Sequence, residues 1–321
     1  MPNFEKISPN IEELHINIED KKGKKKEITW INVNNPEKGE IEYLLHKYHF
    51  NIKHLRFSSS KVISHRPTLD EDEDYIFMIL HFPEVKKGDV KVAETDFFIN
   101  DKILVTAHQS ITVINNSFKK CRNEEGVFAG KNIKSTYSLL SKLLDNLISS
   151  VEPILDENAA NIDDAEDMIF NQQQKKSVSK ILDLKRSIIN MRKIMQNHKY
   201  ILEKLMSVSN EIPFKHSGEY FALIEKSKKI WQAIDSQNEM IQALHETNES
   251  MLNNRISDIM KTLTIFSVIV FPLNLFAAIF GMNTIRGMPF VESEIGFWVI
   301  IILMLLASLF MLLVFKFKKW I

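Results

Sequence analysis

The chain predicts a mixed α/β domain followed by a long helix and two C-terminal transmembrane helices. Three observations lead there. Strand-like segments rich in β-branched and aromatic residues lie before about residue 125. Helix breakers thin out after Gly130. Two uncharged runs, Thr262 to Phe280 and Ile295 to Phe315, close the chain. Each approaches the ~20 apolar residues that a bilayer span needs.

The elements follow in order. Residues 1–130 form the α/β part. EITWINV (27–33), DYIFMILHF (74–82), AETDFFI (93–99) and KILVTAH (102–108) have the composition of strands. Asn100-Asp101 suits a tight turn between the last two. Glu37 to Phe50 spaces Ile41, Leu44, Leu45 and Tyr48 as a helix does. Residues 131–216 predict an antiparallel helical hairpin. One helix runs from about Ser135 to Phe170, a break falls at 171–174, and a second runs from about Ser177 to Ser209. The first carries Glu152, Asp156, Glu157, Asp163, Asp164, Glu166 and Asp167; the second opens on Lys175, Lys176, Lys180, Lys185 and Arg186. Complementary solvated faces are one reading of these charges. An acidic tip that gathers cations is the other.

After Gly218 no proline or glycine interrupts the pattern until Pro272, which lies inside the first apolar run. A helix from Glu219 to Phe280 would be ~90 Å long at 1.5 Å per residue. Residues 217–261 are then its stalk, 262–283 the first span with its end, 284–294 an outer loop, 295–315 the second span and 316–321 a basic tail. A long rod of this kind can carry a tilt or rotation from one end to the other.

Composition narrows the function. Lys+Arg and Asp+Glu both number 41, so no charge excess invites a nucleic acid. The single Cys121 excludes an internal disulfide framework and fits a reducing compartment. The N-terminus, MPNFEKISPN, lacks the basic-then-apolar order of a signal peptide, so the polar part is expected to stay inside the cell. Arg255 and Lys261 precede the first span, and Lys316, Lys318 and Lys319 follow the second; the loop between has Arg286 against Glu292 and Glu294. Basic flanks stay inside. Both termini are expected in the cytoplasm and the loop outside, in the plasma (inner) membrane. Trp298 and Trp320 sit near the ends of the second span, as interfacial aromatics do.

The first span holds the chemistry. Ser257, Met260, Thr264, Ser267, Phe271, Asn274, Ala278 and Gly281 recur in alternating steps of three and four. A seven-residue repeat keeps one seam toward a common axis. Small and polar residues there could glue helices together or line a pore. Two spans cannot enclose a wide aqueous path, so a pore requires several chains, and cyclic symmetry would turn each seam residue into a ring. No acidic residue lies in the seam. Mg²⁺ dehydrates reluctantly, and rings of neutral oxygens can hold its water shell without trapping the ion. Asn283, just past Gly281, offers another such oxygen, and Gly281 suits a helix end where φ turns positive. No GxxxxGK[ST] loop is present.

MKTLTIFSVIVFPLNLFAAIFGMN (260–283), Met288-Pro289 and a second span ending in FKFKKW (315–320) resemble the CorA family of metal-ion transporters. ITWINV (28–33), RPTLDEDEDYIFMILHFP (66–83) and LKRSIINMRKIM (184–195) extend the resemblance over most of the chain. It implies a funnel-shaped homopentamer with α/β/α layers in its cytoplasmic domain, a pore-lining stalk helix, and passive uptake of Mg²⁺ and sometimes Co²⁺ or Ni²⁺. Gly281, Met282 and Asn283 match the family's outer selectivity motif. Met260 and Leu263 match its hydrophobic constriction, and Lys261 the basic residue outside that neck. Asn274 stands where Thr is common, Phe271 where Met is common, and Phe290 where the loop often has Glu; Glu292 and Glu294 lie further on. The family also implies closure by cytoplasmic Mg²⁺ held between acidic residues of neighbouring subunits. Ala222 falls at one of those positions, leaving Glu219 and Glu225 beside it, with Glu84 or Asp89 for the other side.

The expected ligands are therefore divalent cations, with Mg²⁺ as cargo and as a regulatory ion, no organic cofactor, a lipid bilayer and identical subunits. Zn²⁺ transport by the superfamily's zinc branch is an alternative. Zn²⁺ favours His and Cys, and all ten His and Cys121 fall outside the spans. A membrane-anchored sensor or scaffold that conducts nothing is an alternative of another class. A plain anchor has no use for a polar seam. No nucleophile–base motif or phosphate loop supports an enzyme.

Overall fold

The computed structural model describes residues 2–19, 25–59, 67–86, 88–171, 173–208, 217–282, 289 and 294–320. It divides into two compact units, Met1–His245 and Glu246–Ile321.

In the first unit, β1 (Asn3–Lys6), β2 (Ile11–Glu19) and β3 (Lys25–Asn34) form an antiparallel meander. Helices α1 (Lys38–Tyr48) and α2 (Ile52–Ser58) follow. A second meander joins β4 (Thr68–Glu71), β5 (Ile76–Lys86), β6 (Asp89–Ile99) and β7 (Ile103–His108). One parallel pair, β3 with β7, joins the two, giving a seven-stranded sheet of order β1-β2-β3-β7-β6-β5-β4. The β6–β7 turn is fixed by Asn100, whose Oδ1 accepts from the amides of Lys102 and Ile103 at 2.9 Å each.

Both faces of the sheet are covered, which gives the expected α/β/α layers. On one face Ile31, Val33, Phe77, Ile79, Phe98 and Val105 bury against Ile41 and Leu44 of α1 and Leu55 of α2. On the other lie α3 (Thr112–Arg122), α4 (Thr136–Ser149), α5 (Glu152–Phe170), α6 (Gln174–Met195) and α7 (His198–Val208). Trp30 anchors that side. Its ring meets Phe118 edge-on at 5.0 Å, and its Nε1–H donates to Thr106 Oγ1 at 3.1 Å. A buried indole needs such a partner.

The strand assignments for residues 27–33, 74–82, 93–99 and 102–108 and the helix after Glu37 agree with the structure. The single helix expected from Ser135 to Phe170 does not. It is two helices with a turn at Ser150, because Pro153 near the start of α5 has no N–H to give the carbonyl of Ser149. The helix expected from Ser177 to Ser209 is likewise α6 and α7, with a turn at 196–197. There His198 buries fully against Phe82, ring centroids 5.0 Å apart. That contact is tertiary and invisible to periodicity. The hairpin itself is antiparallel: Asn158 bonds Met191 and Ser187, while Lys180 bonds Asn161 and lies 3.9 Å from Asp164.

Strand β2 has no counterpart in the sequence reading. Its inner face carries Glu13, whose side chain is wholly buried. Glu13 accepts hydrogen bonds from Tyr43 Oη at 2.6 Å, Tyr48 Oη at 2.8 Å and Lys47 Nζ at 2.9 Å. Burial alone would raise its pKa; the three donors from α1 outweigh that and hold it below the usual carboxylate range. This one carboxylate ties α1 to the sheet.

Helix α8 (Ser217–Phe280) is continuous, as expected, and α9 (Gly296–Phe317) follows. Within the first unit α8 is docked by specific bonds. Tyr220 Oη donates to the Tyr137 carbonyl at 2.8 Å, and Gln237 Nε2 to the Leu155 carbonyl at 2.8 Å. Arg192 pairs with Asp235 at 2.9 Å, while Ile230, Ile234 and Ile241 are buried.

Asp96 of β6 is wholly buried beside Ser58. Burial, helped by the nearby Glu94 charge and opposed by the Ser58 hydroxyl, pushes its pKa up to about 8. A folded-state pKa above the unfolded value means the native state holds the proton longer. Stability from this group is present at acid pH and is lost as pH rises through about 8. Asp96→Asn should therefore raise Tm by a few degrees more at about pH 9 than at about pH 5. Thermal unfolding of the purified protein at the two pH values checks this; an equal shift at both would refute a neutral buried Asp96.

Candidate ion-conduction site

The second unit contains the end of α8 and all of α9. Both helices are long and apolar enough to cross a membrane, and neither apolar window is buried within the chain. Backbone N–H and C=O groups must be satisfied within each span, and a helix does this with no neighbour. No ionisable side chain lies between Thr262 and Met282. The polar side chains left are Thr262, Thr264, Ser267 and Asn274.

Three hydroxyls bond back to their own helix. Thr264 Oγ1 donates to the Met260 carbonyl at 2.7 Å, Thr262 to Asp258 at 3.0 Å and Ser257 to Asn253 at 2.9 Å. Donation backward uses each hydroxyl's one proton and leaves the oxygen as an acceptor. An acceptor is what the outward hydrogens of a hydrated cation require. Within the expected seam, Ser257, Met260, Thr264, Phe271, Asn274 and Ala278 are exposed, and Ser267 is half-buried. Met260 and Leu263 are 55% and 56% exposed. Such apolar exposure marks a surface made for lipid or another chain.

Pro272 sits inside the helix and has no N–H for the Val268 carbonyl, one turn below. At the C-terminal end of α8 the expected positive φ at Gly281 does not occur. Among the described glycines only Gly88 and Gly126 have it. The backbone is closely approached at 281 instead. Its N–H bonds the Ala277 carbonyl at 2.9 Å, and a Cβ there would lie 3.1 Å from that same oxygen. Met282 follows, exposed, with its N–H on the Ile279 carbonyl at 3.3 Å. Asn283, Met288, Phe290 and Glu292 lie outside the described residues; Glu294 is exposed in the turn before α9.

Lys261 bonds Asp258 at 3.1 Å, one turn earlier. The sequence reading missed this partner, although the i,i+3 spacing was legible. Both members are exposed, so the pair contributes little stability. The expected regulatory acids do not converge within one chain. Glu84 pairs with Lys86 at 2.8 Å, Glu225 lies 3.9 Å from Lys228, and Glu219 accepts from Ser141 Oγ at 2.6 Å. Asp89 is exposed at the β5–β6 turn. The acidic residues of α5 are all exposed as well. None of these joins a group of three metal-ligating atoms among the described residues.

A family model described as CorA-like Mg²⁺ transporter protein matches residues 25–319. The chain belongs to the CorA family. The cobalt/magnesium transport protein CorA of Thermotoga maritima is 24% identical over 297 residues, 91% of this chain and 83% of that protein. The complete structure of the CorA magnesium transporter of Methanocaldococcus jannaschii superposes with a TM-score of 0.81 at 19% identity, over 98% of this chain and all of that one. The ZntB cytoplasmic domain of Vibrio parahaemolyticus superposes with a TM-score of 0.60 at 12% identity, over 71% of this chain and 88% of that domain. This CorA chain is thus a membrane transporter of divalent cations with the fold of its family.

Gly281→Ala should lower divalent-cation uptake about tenfold, equivalent to ~1.4 kcal/mol, with protein still reaching the membrane. The added methyl meets a backbone oxygen that cannot swing aside. Uptake at the parental rate, per inserted protein, would show that the close approach is unimportant.

Proposed function

We propose that the protein is a passive Mg²⁺ transporter, driven by membrane potential through a pore formed by five copies of α8. The observation that carries this is the charge-free face of α8, on which hydroxyl oxygens are left as acceptors by their backward hydrogen bonds. Five copies would stack Thr264, Ser267 and Asn274 as neutral rings, with Met260 and Leu263 as a constriction that closes by dewetting. Gly281, Met282 and Asn283 form the outer selectivity site in this reading. A 2+ ion moving inward through −100 mV gains ~4.6 kcal/mol, at ~2.3 per elementary charge. Both termini lie in the cytoplasm, following the basic flanks Lys261, Lys316, Lys318 and Lys319. Cytoplasmic Mg²⁺ held between subunits by Glu84 or Asp89 and Glu219 or Glu225 favours the closed state.

The likeness to ZntB is one of fold and does not choose the ion. With neither His nor Cys in either span, the path offers no preferred Zn²⁺ ligand. Reconstituted liposomes separate the readings. Mg²⁺ flux that depends on potential and vanishes in Asn283→Ala supports the proposal. Zn²⁺ flux indifferent to excess Mg²⁺ would favour zinc transport, and zero flux from intact oligomers would favour a scaffold.

A further inference from the structure

Among the described residues, one group of three metal-ligating side chains has its donor atoms within 4.8 Å of one another: Glu5, Glu13 and His15. It lies in the first unit, at the β1–β2 edge of the sheet. Register explains the grouping. Glu5 pairs directly with Glu13 across β1 and β2, and His15 is two residues further on the same face of β2. We propose that these three side chains bind a transition-metal dication, Zn²⁺ or Co²⁺, at a site distinct from the transport path.

The geometry fits such an ion. His15 Nε2 and Glu13 Oε2 are 4.0 Å apart. At a tetrahedral ion two such donors stand ~3.3 Å apart, so the partly exposed His15 ring has to close by less than ~1 Å to bring both onto one ion. His15 is already oriented from behind. Its Nδ1 lies 3.2 Å from Glu27 Oε1 and 3.1 Å from Thr29 Oγ1. A carboxylate on Nδ1 keeps the proton there, frees the Nε2 lone pair and strengthens it as a ligand. Glu13 is immobile, since Tyr43 and Tyr48 fix its Oε1 at 2.6 and 2.8 Å. Glu5 is exposed and can close onto the ion from the solvent side.

Charge selects a dication. Glu5, Glu13 and Glu27 bring three negative charges and Lys47 one positive, leaving a deficit of two. Lys47 holds Glu13 Oε2 at 2.9 Å, but its side chain is 43% exposed and can swing into water. It is the resident competitor for the site. The imidazole selects the metal. Mg²⁺ favours all-oxygen, largely hydrated sites, whereas imidazole with carboxylate suits Zn²⁺ and Co²⁺.

The test is a Co²⁺ titration of the full-length, chelator-stripped protein in detergent, in excess Mg²⁺, read by visible absorption. One tight Co²⁺ per chain is expected, with a d–d band of nitrogen and oxygen coordination. His15→Ala should abolish it, and Glu27→Gln should weaken it about 10–100-fold, as loss of a supporting carboxylate does. Lys47→Met should tighten binding, an effect that general destabilisation of the fold would not produce. Asn283→Ala should retain the full signal, because the pore is not involved. An unchanged titration in His15→Ala overturns the site, as does equal or weaker binding in Lys47→Met.

Discussion

The cost of an uncompensated charge in hydrocarbon governs the second half of this molecule. A charged side chain at the centre of a membrane helix costs several kcal/mol or more, and this chain places none between Thr262 and Met282. What remains for polar chemistry is hydroxyl and carboxamide oxygen. Those groups are constrained in turn by the helix that carries them, since Thr264 spends its proton on the Met260 carbonyl. A neutral surface of acceptors follows from lipid physics and helix geometry together. It suits a cation that travels with its water.

The first unit solves a different problem. Its sheet is covered on both sides, yet it admits buried polar groups at set points. Glu13 is held by three donors, Trp30 by Thr106, and the start of α8 by Tyr220 on the Tyr137 carbonyl. Each bond joins elements far apart in sequence: the Glu13 and Tyr220 bonds fix helices in place, and the Trp30 bond ties β3 to β7 within the sheet. Unsatisfied, each such group would cost ~1–3 kcal/mol. The docking of α8 is therefore specific as well as hydrophobic.

Much of this was legible beforehand. The spans, the long helix and four of the strands follow from composition and period, because their apolar residues repeat without interruption. Strand β2 did not, although Leu14, Ile16 and Ile18 alternate with polar residues and are buried; Glu13 and His15 on its other face make the segment look like a charged surface stretch. The turns at Ser150 and Asn197 were hidden in a helical pattern; Pro153 was a visible cause of the first, whereas the second depends on His198 meeting Phe82. At Gly281 the positive φ expected of a helix end does not occur, and the tight contact is with the Ala277 carbonyl one turn back. The Glu5–Glu13–His15 group was out of reach, because strand register brings together residues that no linear spacing connects.

Pro272 has a mechanical consequence. The helix lacks one rung of its hydrogen-bond ladder there, at the Val268 carbonyl. A bend at that level breaks no bond that a straight helix would have kept, so compliance is concentrated about two and a half turns below Gly281. The rungs on either side stay intact and stiff. Any motion along α8 then divides at Pro272 into a lower lever and a short upper cap. The C-terminal end can keep its geometry while the part before Pro272 leans.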